Sequence, residues 1–315
     1  MRKIVCLFLL VLTLSACNNA KQTQVSDLVD KGQRFCLKGR CEESIDFIKE
    51  AVTVDPESAY AHYNLGLIYE QTGRINKAID EYKSALQLKS DYDEANESLV
   101  SAYIKLKQIG TAKEQIKEFI DKNPENAEGY ILSAKVNVID NNFAKSIEEL
   151  NKAINIDPNN VEAYFNIATA YYRSNKVEDA KKNYEKALEL DTGHINTLIN
   201  LAGIYVTEKN YEKATELYNK VIDKVPDSIL ANFNLGILYG LMDDMPQAKA
   251  KFMRVIELNP GLIDAHYHLA LIYKKTGQED QFKKEVEIIE KINPELKGKL
   301  NFDTPDNSKA KIKKN

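Results

Sequence analysis

Tryptophan is absent from this chain of 315 residues, glycine occurs only 13 times and proline 8 times. So few helix breakers favour long helices. The glycines stand singly, which leaves no glycine-rich loop to cradle a phosphate. Histidine is equally sparse: His62, His194, His266 and His268 are scattered, and the last two, at i, i+2, fall on different faces of a helix. Tetrahedral zinc needs three or four converging ligands, so the sequence offers no metal site. No catalytic constellation emerges, and the chain reads as a non-enzyme with no cofactor and no small-molecule substrate. Positive charge is also in short supply. The formal net charge is −4, and it becomes −11 over residues 25–296 once Arg2, Lys3, Lys21 and the basic tail are set aside. An acidic body is a poor ligand for nucleic acid. What remains is 43% hydrophobic and 29% charged, with 17 tyrosines. That composition suits a globular protein with a large core.

The amino terminus has its own pattern. Two positive charges precede a short apolar run, Ile4 to Leu14, which ends in Leu14-Ser15-Ala16-Cys17. This is a signal-peptide layout, and the run is shorter than the roughly 20 apolar residues that span a bilayer. The quartet resembles the lipobox of bacterial lipoproteins. That resemblance implies cleavage after residue 16, lipid attachment at Cys17, and a membrane partner held through acyl chains. Asn18 stands where an aspartate would resemble an inner-membrane retention signal, so the expected location is the cell envelope, at the outer membrane if the host is diderm. Residues 17–24 would form the lipidated cysteine and a polar linker, of which "NNAKQTQ" reaches at most about 23 Å when extended. Of the four cysteines, Cys36 and Cys41 then remain in the mature chain. An even pair in an oxidising compartment suggests a disulfide. Two reduced thiols, or a redox or metal pair, are the alternatives, although the four-residue spacer departs from C-x-x-C.

The rest of the chain repeats. Pro56, Pro124, Pro158, Pro226, Pro260 and Pro294 are separated by multiples of 34, as are Tyr69, Tyr103, Tyr171, Tyr205, Tyr239 and Tyr273. Small residues share the period at Gly32, Gly66, Ala134, Ala168, Ala202, Gly236 and Ala270, and again at Ala78, Ala112, Ala180, Ala214 and Ala248. Searching for such a period comes before any local reading. At these residues the sequence resembles the tetratricopeptide repeat family, whose units are 34-residue helical hairpins. Eight units tile residues 25–58, 59–92, 93–126, 127–160, 161–194, 195–228, 229–262 and 263–296. The expected fold is all-α, a right-handed superhelical solenoid of helix-turn-helix repeats stabilised by stacking between neighbours. Repeat 4 departs from the pattern with Asn137 and Ser146, and reads as a looser joint. The tail 297–315 is basic and polar and reads as disordered.

Within a unit, one stripe of the first helix builds the repeat, as Leu65, Gly66 and Tyr69 do. A second stripe carries Tyr60, Tyr63, Phe165, Tyr172, Phe233, Tyr267 and His268 together with Asn64, Asn166, Asn200 and Asn234. Periodicity shows only that these residues share a face. The family resemblance implies that the face lines a concave groove where a peptide or protein partner binds. Asparagine offers a donor and an acceptor, so a column of them can bond a peptide backbone. Packing makes no obvious demand for asparagine on this stripe, yet it is also the common family residue there, and both readings stand open. Tyr63, Leu67, Ser98 and Glu128 occupy places where a Lys/Arg clamp for carboxylate termini would run, which argues against an acidic-tail clamp. The function expected is a membrane-anchored noncatalytic scaffold for an envelope assembly. Recruitment of a neighbouring envelope enzyme and a structural spacer without groove specificity are the alternatives.

Overall fold

The computed structural model describes the backbone of residues 2–300 and 302, and side chains from Asn19 onward. Its regular elements are sixteen α-helices and a closing 3-10 turn, with no strand among the described residues. The chain divides after Pro158 into two compact units. The first holds α1 (Arg2–Leu37), α2 (Cys41–Val54), α3 (Ala59–Gln71), α4 (Ile75–Leu88), α5 (Asp93–Lys105), α6 (Ile109–Lys122), α7 (Ala127–Ile139) and α8 (Phe143–Ile156). The second holds α9 (Val161–Arg173), α10 (Val177–Leu190), α11 (Ile195–Thr207), α12 (Tyr211–Lys224), α13 (Ile229–Leu241), α14 (Met245–Leu258), α15 (Ile263–Lys275) and α16 (Glu279–Ile292), followed by the 3-10 turn Pro294–Leu296. From Ala59 onward a 13-residue helix starts every 34 residues and a 14-residue helix follows it. Each pair is a hairpin, and the fold is an all-α repeat solenoid.

The turn inside each hairpin keeps one geometry. Gly39, Gly73, Lys107, Asn141, Asn175, Lys209, Asp243 and Gly277 all adopt positive φ, at 34-residue spacing. There the chain reverses through a left-handed residue, and the amide that follows bonds back to the helix end: Arg74 N–H to Tyr69 O at 2.7 Å, Gln108 N–H to Tyr103 O at 2.9 Å. Only three of the eight residues are glycine, the one type that enters this region without a Cβ clash. Lys107→Gly and Lys209→Gly are each expected to raise unfolding stability by roughly 1 kcal/mol, after allowing for the greater chain entropy of glycine. Urea unfolding that shows no gain in either variant would contradict the turn assignment.

Between hairpins, the residue six places after the repeat proline reaches back to that proline's carbonyl. His62, Tyr130, Asn232 and His266 bond Pro56, Pro124, Pro226 and Pro260 in this way, at 2.9 to 3.2 Å. Ser58, Asn126, Asn160 and Ser228 cap the helices that follow with side-chain oxygens. The glycine positions of the sequence pattern are sites of contact within a hairpin. A Cβ on Gly66 would lie 2.5 Å from the Tyr82 ring, and one on Gly236 would lie 2.8 Å from Phe252. In the fourth hairpin Asn137 is buried, its amide 3.5 Å from Ser133 Oγ, while Ser146 Oγ is buried without a partner.

Both ends differ from the sequence reading. Residues 19–24, expected to form a linker, continue α1 as helix, and Lys21 pairs with Asp55 at 2.8 Å. Helical rise shortens those six residues to about 9 Å. The side chain of Cys17, where lipidation is expected, lies with those of all residues before Asn19 outside the described set. Among the described residues no helix is long and apolar enough to cross a membrane. Cys36 and Cys41 bracket the first turn with Cα atoms 3.9 Å apart and are joined as a disulfide. At the other end, Lys297 to Lys299 form a turn where a disordered tail was expected. Phe302 stacks on Tyr267 at 4.9 Å and lies edge-on to Phe282 at 5.1 Å. Residues 301 and 303–315 are outside the described set.

Candidate functional site

The asparagine column is tied into the protein. Asn64 is buried; its Oδ1 accepts from Gln33 Nε2 at 2.6 Å, and its Nδ2 donates to Tyr60 O at 2.8 Å. Asn200 is buried and donates to the Tyr184 hydroxyl at 3.2 Å, while its Oδ1 has no partner. Asn234 is buried facing the hydroxyl of Tyr218, which meets no partner at full hydrogen-bond geometry. Asn166 is half-buried and donates within its own turn, to the backbone and side-chain oxygens of Glu162 at 2.8 and 3.1 Å. Burial therefore does make a demand at Asn64, Asn200 and Asn234, where the sequence showed no obvious one, whereas Asn166 is satisfied within its own turn.

At several positions of the stripe the partner is the residue 16 places earlier, on the second helix of the preceding hairpin, although Asn64 and Asn166 follow the aliphatic Ile48 and Leu150 at that spacing. Where that residue is Tyr82, Tyr184 or Tyr218, the stripe holds the polar Ser98, Asn200 or Asn234, and Asn200 hydrogen-bonds its phenol. Where it is Ile116, the stripe holds Leu132, in the same apolar cluster. Phe252 instead meets His268, the two rings stacked at 5.0 Å and 4°. A buried phenol hydroxyl is costly without a polar neighbour, and an aliphatic or aromatic side chain needs none. Burial pushes the Tyr184 and Tyr218 phenols above their ordinary range, so they stay protonated.

The aromatic members of the stripe divide in two. Phe233 is buried, edge-on to Phe252 at 5.6 Å and to His268 at 5.5 Å. Tyr63, Phe165, Tyr172, Tyr267 and His268 are half-buried. Tyr63 lies 5.0 Å from Tyr92, and Phe165 lies 5.3 Å edge-on from His194, the corresponding pair in the second unit. Tyr92 sits in an inter-hairpin turn and belongs to neither sequence stripe. Burial first, and then Glu94, push its phenol up to about 12. Among the described residues no three His, Cys, Asp or Glu groups converge as a metal site.

His62 and His266 brace equivalent hairpins, with Nδ1 against Glu81 at 2.7 Å and Glu285 at 2.6 Å. The Glu81 hydrogen bond raises the pKa of His62 above 6.5. The sign follows from the direction: the stabilisation is complete below 6.5, where His62 is charged in both the folded and unfolded states, and is lost as pH rises through the higher folded value. His62→Gln should therefore flatten the decline of stability between pH 6 and 8, by less than about 1 kcal/mol because solvent still reaches part of the pair. Unfolding curves with the same pH slope in both proteins would contradict this.

Thirty-four-residue helical hairpins, stacked through matched side chains, define a repeat solenoid of the kind that serves as a protein-interaction scaffold. Family models agree. One described as TPR repeat matches residues 32–73 and 134–175, and others described as tetratricopeptide repeat match 59–92, 162–225 and 263–295. The chain belongs to the tetratricopeptide repeat proteins. No curated protein matches it in sequence. Among solved structures, it resembles a tetratricopeptide repeat protein from Parabacteroides merdae at 17% identity and TM-score 0.56, over 79% of this chain and 99% of that one. PilF of Pseudomonas aeruginosa is 16% identical at TM-score 0.48, over 82% and 99% of the two chains. MamA is 28% identical at TM-score 0.41, over 51% and 94%.

Proposed function

We propose that the protein is a noncatalytic scaffold, lipid-anchored at Cys17, that holds a peptide or protein partner against the first-helix face of its hairpins during assembly of an envelope complex. The observation that carries this reading is the division of that face. Asn64, Asn200 and Asn234 are buried, whereas Tyr60, Tyr63, Phe165, Tyr172 and Tyr267 keep part of their rings accessible along equivalent helices. Aromatic side chains supply large contact area at little entropic cost, which is what recognition surfaces select. Peptide-in-groove binding would follow from these rings, with the asparagines fixing the spacing of the helices that carry them.

The test compares envelope extracts passed over wild-type protein and over Phe165→Ser/Tyr267→Ser. Loss of one or more specific partners, with helix content unchanged, is expected; an identical partner set would contradict the reading. The anchor has a separate test. Cys17→Ser should move the protein from the membrane pellet to the soluble fraction, and continued pelleting would remove the anchor from the account.

A further inference from the structure

We propose that Tyr60, Tyr63 and Tyr92, flanked by Asp30 and Glu94, form a receptor for a lysine or arginine side chain of the partner. This rests on the scaffold reading and adds the chemistry that the first unit selects. Tyr60, on α3, is the most open aromatic of the stripe at 41% exposure. Behind it the Tyr63 and Tyr92 rings meet at 5.0 Å and 51°, and Tyr82 backs Tyr63 at 6.0 Å. The cluster therefore has a fixed rear wall and an exposed front. Ring faces carry negative quadrupole density and attract cations.

The carboxylates around it are the second observation. Glu97 is held by Lys135 at 3.2 Å, and Glu70 by Lys105. Asp30 and Glu94 are exposed and have no ion-pair partner among the described residues. Both act on the cluster: Asp30 raises the Tyr60 phenol after burial does, and Glu94 raises Tyr92 and Tyr63. The rings thus stay neutral in an electronegative surround. Tyr92 already accepts one cation, Lys89 Nζ lying 4.9 Å from its centroid. The corresponding ring pair of the second unit is built differently. There His194, edge-on to Phe165, has Glu162 3.7 Å from its Nε2, so the chain supplies its own imidazole where the first unit has a third phenol. In the first unit Lys89 lies over Tyr92, but Asp30 and Glu94 have no ion pair among the described residues and the face of Tyr60 is open. A planar guanidinium meets both demands, stacking on the rings and bonding a carboxylate.

The probe is the peptide acetyl-Ala-Arg-Ala-Ala-amide, with its citrulline counterpart as the uncharged control, followed by NMR of the tyrosine rings of the full protein. The arginine peptide should shift the Tyr60, Tyr63 and Tyr92 ring signals and saturate in the millimolar range. The citrulline peptide should bind roughly fivefold more weakly or worse. Asp30→Asn/Glu94→Gln, both at exposed positions, should cost the arginine peptide a similar factor, as should Tyr60→Leu, while Tyr60→Phe retains binding. Equal affinity for the two peptides, shifts confined to other tyrosines, or indifference to Asp30→Asn/Glu94→Gln would overturn the proposal. The natural partner is not needed. No arginine preference, with partner capture still abolished by the Phe165/Tyr267 substitutions, removes this receptor and leaves the scaffold. Arginine binding, with capture insensitive to those substitutions, removes the scaffold reading instead.

Discussion

Phe252→Ala is expected to lower unfolding stability by about 4 kcal/mol, near the top of the range for aromatic truncation in a core. Phe252 is 2% exposed on α14, and its ring fills the space that Gly236 leaves on α13. Phe233 meets it edge-on at 5.6 Å, and His268 on α15 stacks on it at 5.0 Å. One side chain thus joins the two helices of its own hairpin to the first helix of the next. Truncation would leave a void whose nearest wall is a glycine, which has no side chain to swing inward, so little relaxation can offset the loss. Phe252→Leu keeps most of the volume and should cost about 1.5 kcal/mol. Urea unfolding, read with hydrogen exchange in α13 and α15, checks both. A loss below about 1.5 kcal/mol for the alanine variant would show that the ring is not the joint it is taken to be.

The complementary substitution overfills the same kind of contact. Gly66→Val is expected to cost about 3 kcal/mol, at the upper end for overpacking. A Cβ on Gly66 would come within 2.5 Å of Tyr82, and valine adds two methyl groups beyond that point. The ring has little freedom to retreat. It is fully buried, its hydroxyl donates to Glu70 at 2.6 Å, and Tyr63 lies 6.0 Å away. In the second unit the positions equivalent to Gly66 and Tyr82 hold Ala168 with Tyr184 and Ala202 with Tyr218, all buried in one cluster, so a single methyl is accommodated there. Gly66→Ala should therefore cost much less than Gly66→Val. Equal and small losses for the two would mean that the first hairpins are looser than their contacts suggest.

The fold was legible because the 34-residue period is carried by residues with one local job each. Prolines end second helices, small residues admit the facing ring, and tyrosines such as Tyr69 fill the hairpin. The left-handed turns were only partly legible. Gly39, Gly73 and Gly277 announce them, whereas Lys107 and Lys209 take the same φ because the hairpin imposes it. The site was legible as a face, with the role of its asparagines left open between binding and building the repeat. Period analysis asks what recurs every 34 residues, and Asn64, Asn200 and Asn234 recur. For Asn200 and Asn234 the neighbour lies 16 residues upstream, in a different helix, at Tyr184 and Tyr218; Asn64 follows Ile48 at that spacing and is held instead by Gln33 and the Tyr60 carbonyl. Tyr92 was missed because it sits in a turn, off both stripes, and only folding brings it to Tyr63.

The central claim is that the accessible rings of the first helices bind the partner, while the second helices and the asparagines build the stack. The direct measurement places a photo-crosslinking phenylalanine analogue at position 63, 165 or 267, and for comparison at Met253 or Ile288, exposed on second helices. Irradiation of cells that produce the full-length protein should give an adduct of the same partner from the three first-helix positions and none from the other two. Adducts of equal yield from both sets, or from the second helices alone, would contradict the account.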